Sequence, residues 1–167
     1  MHEHKAKNME SNKTKLIVVR GYQETGKTTT IWMVFLELVR RGAIVKSFLD
    51  TETKTTTYPA TLPPQSKRND FETELDWNGI SIVIFSYGDV YNDVKNKMEQ
   101  ILPTKPDYII CAASIRYWAF CAWNLFEQKY TNTMYERICF WSEKSADPKD
   151  EEIVKRPTVK AIINYMQ

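Results

Sequence analysis

The sequence predicts an α/β fold with a mostly parallel sheet and one antiparallel hairpin at 71–85, and three observations carry that expectation. Short apolar runs such as Leu16-Ile17-Val18-Val19 and Ile82-Val83-Ile84-Phe85 have the length and unbroken hydrophobicity of strands covered on both faces. Between such runs lie segments without Gly or Pro in which Val90, Val94, Met98 and Ile101, for example, recur at helical spacing. Phe71, Thr73, Leu75 and Trp77 alternate with Glu72, Glu74 and Asp76, and Asn78-Gly79 follows at once. That pattern predicts a hairpin returning through Ile80 to Phe85, with the second strand central and the first nearer an edge.

The elements follow in order. Residues 1–14 are polar and read as a mobile tail, and 15–167 as a single domain. Lys15 to Arg20 is a buried strand ended by Gly21. Lys27 to Arg41 is a helix with Ile31, Trp32, Phe35, Leu36, Leu38 and Val39, stopped by Gly42. Ala43 to Leu49 is a second strand with Asp50 at its carboxyl end, and Thr51 to Asn69 a long mobile loop. After the hairpin, Gly88-Asp89 opens a helix, and Asp107 to Ala113 is another strand. Ile115 to Tyr130 predicts a helix so aromatic that it is either buried or an interface. Arg137 to Trp141 is a last strand, and Glu151 to Gln167 a terminal helix that Pro157 either starts or kinks.

Composition excludes several classes. The 167 residues carry 23 basic and 21 acidic side chains, a net charge of +2 without a basic stripe, so nucleic acid is an unlikely partner. Cys111, Cys121 and Cys139 are odd in number and widely separated, against both a disulfide framework and a four-ligand zinc site. Cys111, inside an apolar strand, reads as an inert small hydrophobe. The polar start, without an apolar core, predicts a cytoplasmic chain and no membrane partner. Aromatic content of 13% calls for an aromatic core or an apolar partner surface.

Gly21-Tyr22-Gln23-Glu24-Thr25-Gly26-Lys27-Thr28 fits G-x-x-x-x-G-K-[ST], between a predicted strand and a predicted helix. A phosphate chain needs inward-pointing backbone N–H groups, which glycines permit, and a helix amino terminus whose partial positive charge meets the anion. Gly21 and Gly26 then make the turns, with Gln23, Glu24, Thr25 and Thr29 completing the cradle. Lys27 reaches the β- and γ-phosphates, and the Thr28 hydroxyl ligates Mg²⁺.

On these residues the chain resembles the P-loop NTPase superfamily from Lys15 onward, which implies a three-layer fold, an NTP (ATP foremost) and Mg²⁺. Within it, Gly26-Lys27-Thr28-Thr29-Thr30 followed by Phe48-Leu49-Asp50-Thr51 is similar to the start of signal-recognition-particle GTPases. The departure is Ser86-Tyr87-Gly88-Asp89, where those families place an acid directly after the apolar strand. The hairpin 71–85 is similar to that of Ras-like GTPases, with Ser86 again replacing an acid. Thr104-Lys105-Pro106-Asp107 imitates a guanine-reading motif but precedes its strand, so it reads as a loop. Small P-loop kinases share the size, the loop and an acid after the second strand, a position that Asp50 fits.

Phosphoryl transfer needs an acid to hold a metal water or orient a nucleophile, and the candidates are Asp50 and Asp89. Each has a plain alternative: Asp50 as a turn acid, Asp89 as a helix cap worth about 1 kcal/mol. Asp89, with Thr28, is the predicted metal ligand. Arg116 could meet phosphate or base, or be an ordinary surface arginine. Trp118, Trp123 and Phe126 read as core or dimer contacts. The expected function is NTP binding with slow hydrolysis in a nucleotide-dependent switch, whose protein partner or second copy meets the aromatic segment 115–130. The alternatives are a small-molecule or nucleotide kinase, with an acceptor pocket lined by Asp50 and the 51–69 loop, and a binding module without turnover.

Overall fold

The central strand β1 (Lys15–Gly21) points Ile17 and Val19 to one face and Leu16 and Val18 to the other, and all four are buried. Both faces therefore need cover, which explains the unbroken apolar run. The computed structural model describes residues 13–115 and 121–167. Six strands form one sheet in the order β2-β3-β4-β5-β1-β6, where β2 is Ile44–Asp50, β3 Phe71–Trp77, β4 Ile80–Phe85, β5 Tyr108–Ser114 and β6 Arg137–Trp141. Every neighbouring pair is parallel except β2–β3 and β3–β4, so β3 alone runs against the rest.

Helices α1 (Lys27–Arg40) and α4 (Glu151–Tyr165) pack over the Ile17 face, and α2 (Tyr91–Ile101) and α3 (Ala122–Gln128) over the Leu16 face, giving three layers. The predicted hairpin is present. Asn78 and Gly79 both take positive φ, 53° and 82°, as a two-residue primed turn requires. Phe71, Thr73, Leu75 and Trp77 are buried, Glu74 is exposed, and Glu72 and Asp76 are half-buried. Four aromatic rings meet in one corner, where Trp32 lies 4.1 Å from Phe71, tilted by 38°, with Phe35 and Phe48 around them.

Four expectations change. The helix expected at Ile115 to Tyr130 begins only at Ala122; Trp123 and Phe126 are buried in the core, whereas Arg116 and Trp118 lie outside the described residues. Helix α2 starts at Tyr91 with Val90 as its N-cap, so Asp89 caps nothing. Pro157 lies inside α4, which starts at Glu151, so the proline does not start it. The 51–69 loop contains a 3-10 turn at Gln65–Lys67 and is tied at its end by Trp32 Nε1 donating to the Asn69 carbonyl at 2.9 Å. No helix among the described residues is long and apolar enough to cross a membrane.

Candidate functional site

The Gly21–Thr28 turn joins the carboxyl end of β1 to α1. Gly26 is the helix N-cap in a left-handed conformation, φ 82°, and no side chain caps the first turn, which also lacks any acid. The leading amides of α1 are thus uncapped by side chains, and the geometry suits an anion. Lys27 is buried and its Nζ donates to the Tyr22 carbonyl at 2.6 Å, inside the loop's own curve. A cavity of about 540 Å³ opens here, and Glu24, Thr25, Gly26, Lys27, Thr28 and Thr29 form its floor. Gly21 and Gln23 are not part of that lining; Gly21 packs under the Ser142 carbonyl, where a β-carbon would approach within 2.6 Å.

The opposite wall contains a residue that sequence reasoning missed. Asp70 Oδ1 accepts the Thr28 hydroxyl at 3.3 Å and the Ser86 hydroxyl at 3.0 Å. Ser86 is held in turn by Phe71, whose amide donates to Ser86 Oγ at 2.9 Å and whose carbonyl accepts the Ser86 amide at 3.0 Å. The hydroxyl at position 86 therefore meets a carboxylate from across the hairpin. Register counted back from the Asn78-Gly79 turn sets Glu72 opposite Phe85, hence Phe71 opposite Ser86, with Asp70 beside it. Burial pushes the Asp70 carboxyl above the usual range, opposed by the Ser86 and Thr28 hydroxyls and reinforced by Asp89 and Glu52.

Asp89 lines the same cavity, beyond Asp70. Gly88 passes so close over β5 that a β-carbon would meet the Ala112 carbonyl oxygen at 2.2 Å, and this close passage sets Asp89 against Ser114, whose hydroxyl donates to Asp89 Oδ1. Asp50 is not brought to the cavity. Its carboxylate accepts the amides of Glu52 (3.0 Å) and Thr53 (2.9 Å) and the Asn69 side chain (3.1 Å). Burial raises its pKa, but these hydrogen bonds outweigh burial and hold it below the usual range.

The loop is braced from outside by α4. Lys155 Nζ donates to the Thr25 carbonyl at 2.6 Å, to Ser142 Oγ at 3.0 Å and to the Glu143 carbonyl, while Ser142 Oγ donates to the same Thr25 carbonyl at 2.8 Å. Burial lowers the Lys155 pKa, opposed by Glu151 and Glu143. Arg68, from the end of the long loop, lies on the cavity rim; its guanidinium reaches Glu151 at 3.1 Å, Thr29 at 3.3 Å and the Pro63 carbonyl at 2.8 Å.

Among the described residues no three His, Cys, Asp or Glu side chains form a metal cage. Mg²⁺ needs none: it keeps several waters and takes one or two carboxylates together with phosphate oxygens. The Thr28 hydroxyl and the Asp70 carboxylate, already in contact, are a donor set of that kind. Compared with protein-family models, with curated proteins and with solved structures, the chain matches none.

Proposed function

We propose that this is a cytoplasmic P-loop protein that binds a nucleoside triphosphate with Mg²⁺ at Gly21–Thr28 and cleaves its terminal phosphoanhydride slowly, as a nucleotide-dependent switch. The observation that carries the reading is Asp70 held on Thr28 by Ser86, at the mouth of a loop with P-loop spacing. Lys27 and the uncapped α1 amides bind the phosphate chain. Thr28 and Asp70 would hold Mg²⁺, which when bound neutralises charge on the terminal phosphates. Asp89, fixed by Ser114, orients the attacking group. The 51–69 loop answers to occupancy through Arg68, which phosphate would draw from Glu151. The Asp70 carboxylate beside Ser86 favours turnover over a binding module, because it offers a negative charge that Ser86 by itself does not.

A kinase is the second reading. One observation favours it: a further cavity, with Thr51 and Lys54 of the long loop in its wall, also has Asp70, though not the expected Asp50, as a wall.

Titration calorimetry and thermal shift with ATP, GTP, CTP and UTP, with and without Mg²⁺, test the proposal and read the base together. Lys27→Ala is expected to lose most triphosphate affinity and stay folded. Equal affinity in Lys27→Ala and the parent would sink the assignment.

A further inference from the structure

The second cavity, about 550 Å³, lies between α2, the start of β3 and the turn that carries Thr51 and Lys54. The alternation of β3 leaves Glu72 facing away from the apolar core, and α2 turns Asp93, Asn96, Lys97 and Gln100 toward that polar strip while burying Val94, Met98 and Ile101. The walls are pre-ordered: Tyr87 donates its hydroxyl to Glu72 Oε2 at 2.7 Å, and Lys97 Nζ lies 3.1 Å from the same oxygen. Asp70 lines this cavity as well as the loop cavity. Its Oδ1 takes both hydroxyls described above, and Oδ2 has no hydrogen bond among the described residues.

Two lysines, Lys54 and Lys97, face Asp70, Glu72 and Asp93, with two side-chain amides between. Such a lining neutralises neither a strong anion nor a strong cation, and it offers closely spaced donors and acceptors. The volume suits a small molecule. We propose that this cavity is the acceptor subsite of a phosphotransferase and takes an uncharged polyhydroxylated small molecule. The inference rests on the triphosphate reading above in its second, kinase form, in which slow hydrolysis is water taking the acceptor's place. An acceptor hydroxyl oxygen bonds to the terminal phosphorus, and the bond from that phosphorus to its bridging oxygen breaks. The nucleoside diphosphate leaves with the electron pair, and the acceptor proton goes to water at the exposed rim of Lys54, Asp93, Asn96 and Gln100. The transition state is loose, so positioning matters more than a strong base.

The test uses the full chain, Mg²⁺ and ATP labelled in the terminal phosphate, with glycerol as the minimal polyol and 1-propanol as a monohydroxy control. Products are separated into inorganic phosphate and phosphate ester. The expected result is an ester fraction from glycerol about tenfold above the glycerol-to-water mole ratio, with 1-propanol near its own ratio. Gln100→Trp or Asn96→Leu, both at exposed helix positions, returns the glycerol fraction to the mole ratio. ATP that binds and is hydrolysed with only statistical ester formation overturns the inference and leaves the triphosphate reading standing. Bound ATP recovered intact in glycerol overturns it too, as does an enriched ester fraction that both variants retain. Absence of ATP binding by calorimetry removes the triphosphate reading and this inference with it.

Discussion

Asp70 accepts the hydroxyl of Thr28 across 42 residues of sequence, at 3.3 Å, and Ser86 orients it by donating to the same carboxylate oxygen. The contact joins the first turn of α1 to the start of an antiparallel strand, so hairpin register sets the position of the acid. The folded chain leaves this carboxylate half-buried, with both hydroxyls on one of its oxygens.

That arrangement makes Asp70→Asn informative in two directions. A carboxyl whose folded pKa is raised costs stability as pH climbs from its unfolded pKa, about 4, through the folded one. In metal-free buffer Asp70→Asn is therefore expected to melt above the parent at pH 7, with the difference shrinking below about pH 4. Mg²⁺-dependent stabilisation by ATP is expected to vanish in the same variant. Melting curves at both pH values, with and without Mg-ATP, check this; a variant that keeps full Mg-ATP stabilisation contradicts the metal role.

Lys155 satisfies three acceptors around the loop with one ammonium. Lys155→Met keeps the stem but takes the donor from the Glu143 carbonyl and leaves the Thr25 carbonyl to the Ser142 hydroxyl alone, and is expected to cost about 1–3 kcal/mol in urea unfolding. A loss below about 1 kcal/mol would show that water replaces the ammonium easily.

Arg68 ties the long loop to α1 and α4, and its ion pair with Glu151 is shielded, at 13% and 11% side-chain exposure. Arg68→Ala is expected to cost about 1–3 kcal/mol and to speed tryptic cleavage at the exposed Lys54. Limited proteolysis of parent and variant reads it, and equal cleavage rates would place the tie elsewhere, at Trp32 and Asn69.

The two acids expected from sequence should now part. Asp50→Ala removes the acceptor for Glu52, Thr53 and Asn69 and is expected to cost about 1–2 kcal/mol without changing Mg-ATP affinity. Asp89→Asn can still accept the Ser114 hydroxyl, so its stability should stay within about 0.5 kcal/mol of the parent while turnover falls at least about tenfold. Calorimetry and steady-state turnover on both variants separate the roles. Turnover unaffected by Asp89→Asn would remove it from the site.

Local pattern alone determined a good deal. Unbroken apolar runs located β1, β4 and β5, because strands covered on both faces have no polar side to show. Period two in Phe71 to Trp77 and the Asn78-Gly79 pair located the hairpin, because both central turn residues must take positive φ. The spacing Gly21 to Thr28 located the candidate loop. Asp70 was legible in principle, by counting pairs back from the turn to Ser86, but only once the hairpin was trusted to its last pair.

What lay beyond the sequence was every partnership between distant segments. Strand order placed β5 between β1 and β4, which set Ser114 beside Asp89; Gly88-Asp89 looked like a helix start, yet α2 begins at Tyr91. Lys155 bracing Thr25, Arg68 meeting Glu151, and the polar cavity between α2 and β3 arose when separate helices settled on two faces of one sheet. Periodicity reports which face of an element is apolar and says nothing of which other element will cover it. Packing of the whole chain decides that, and it brought Asp70, rather than Asp50, to the first turn of α1.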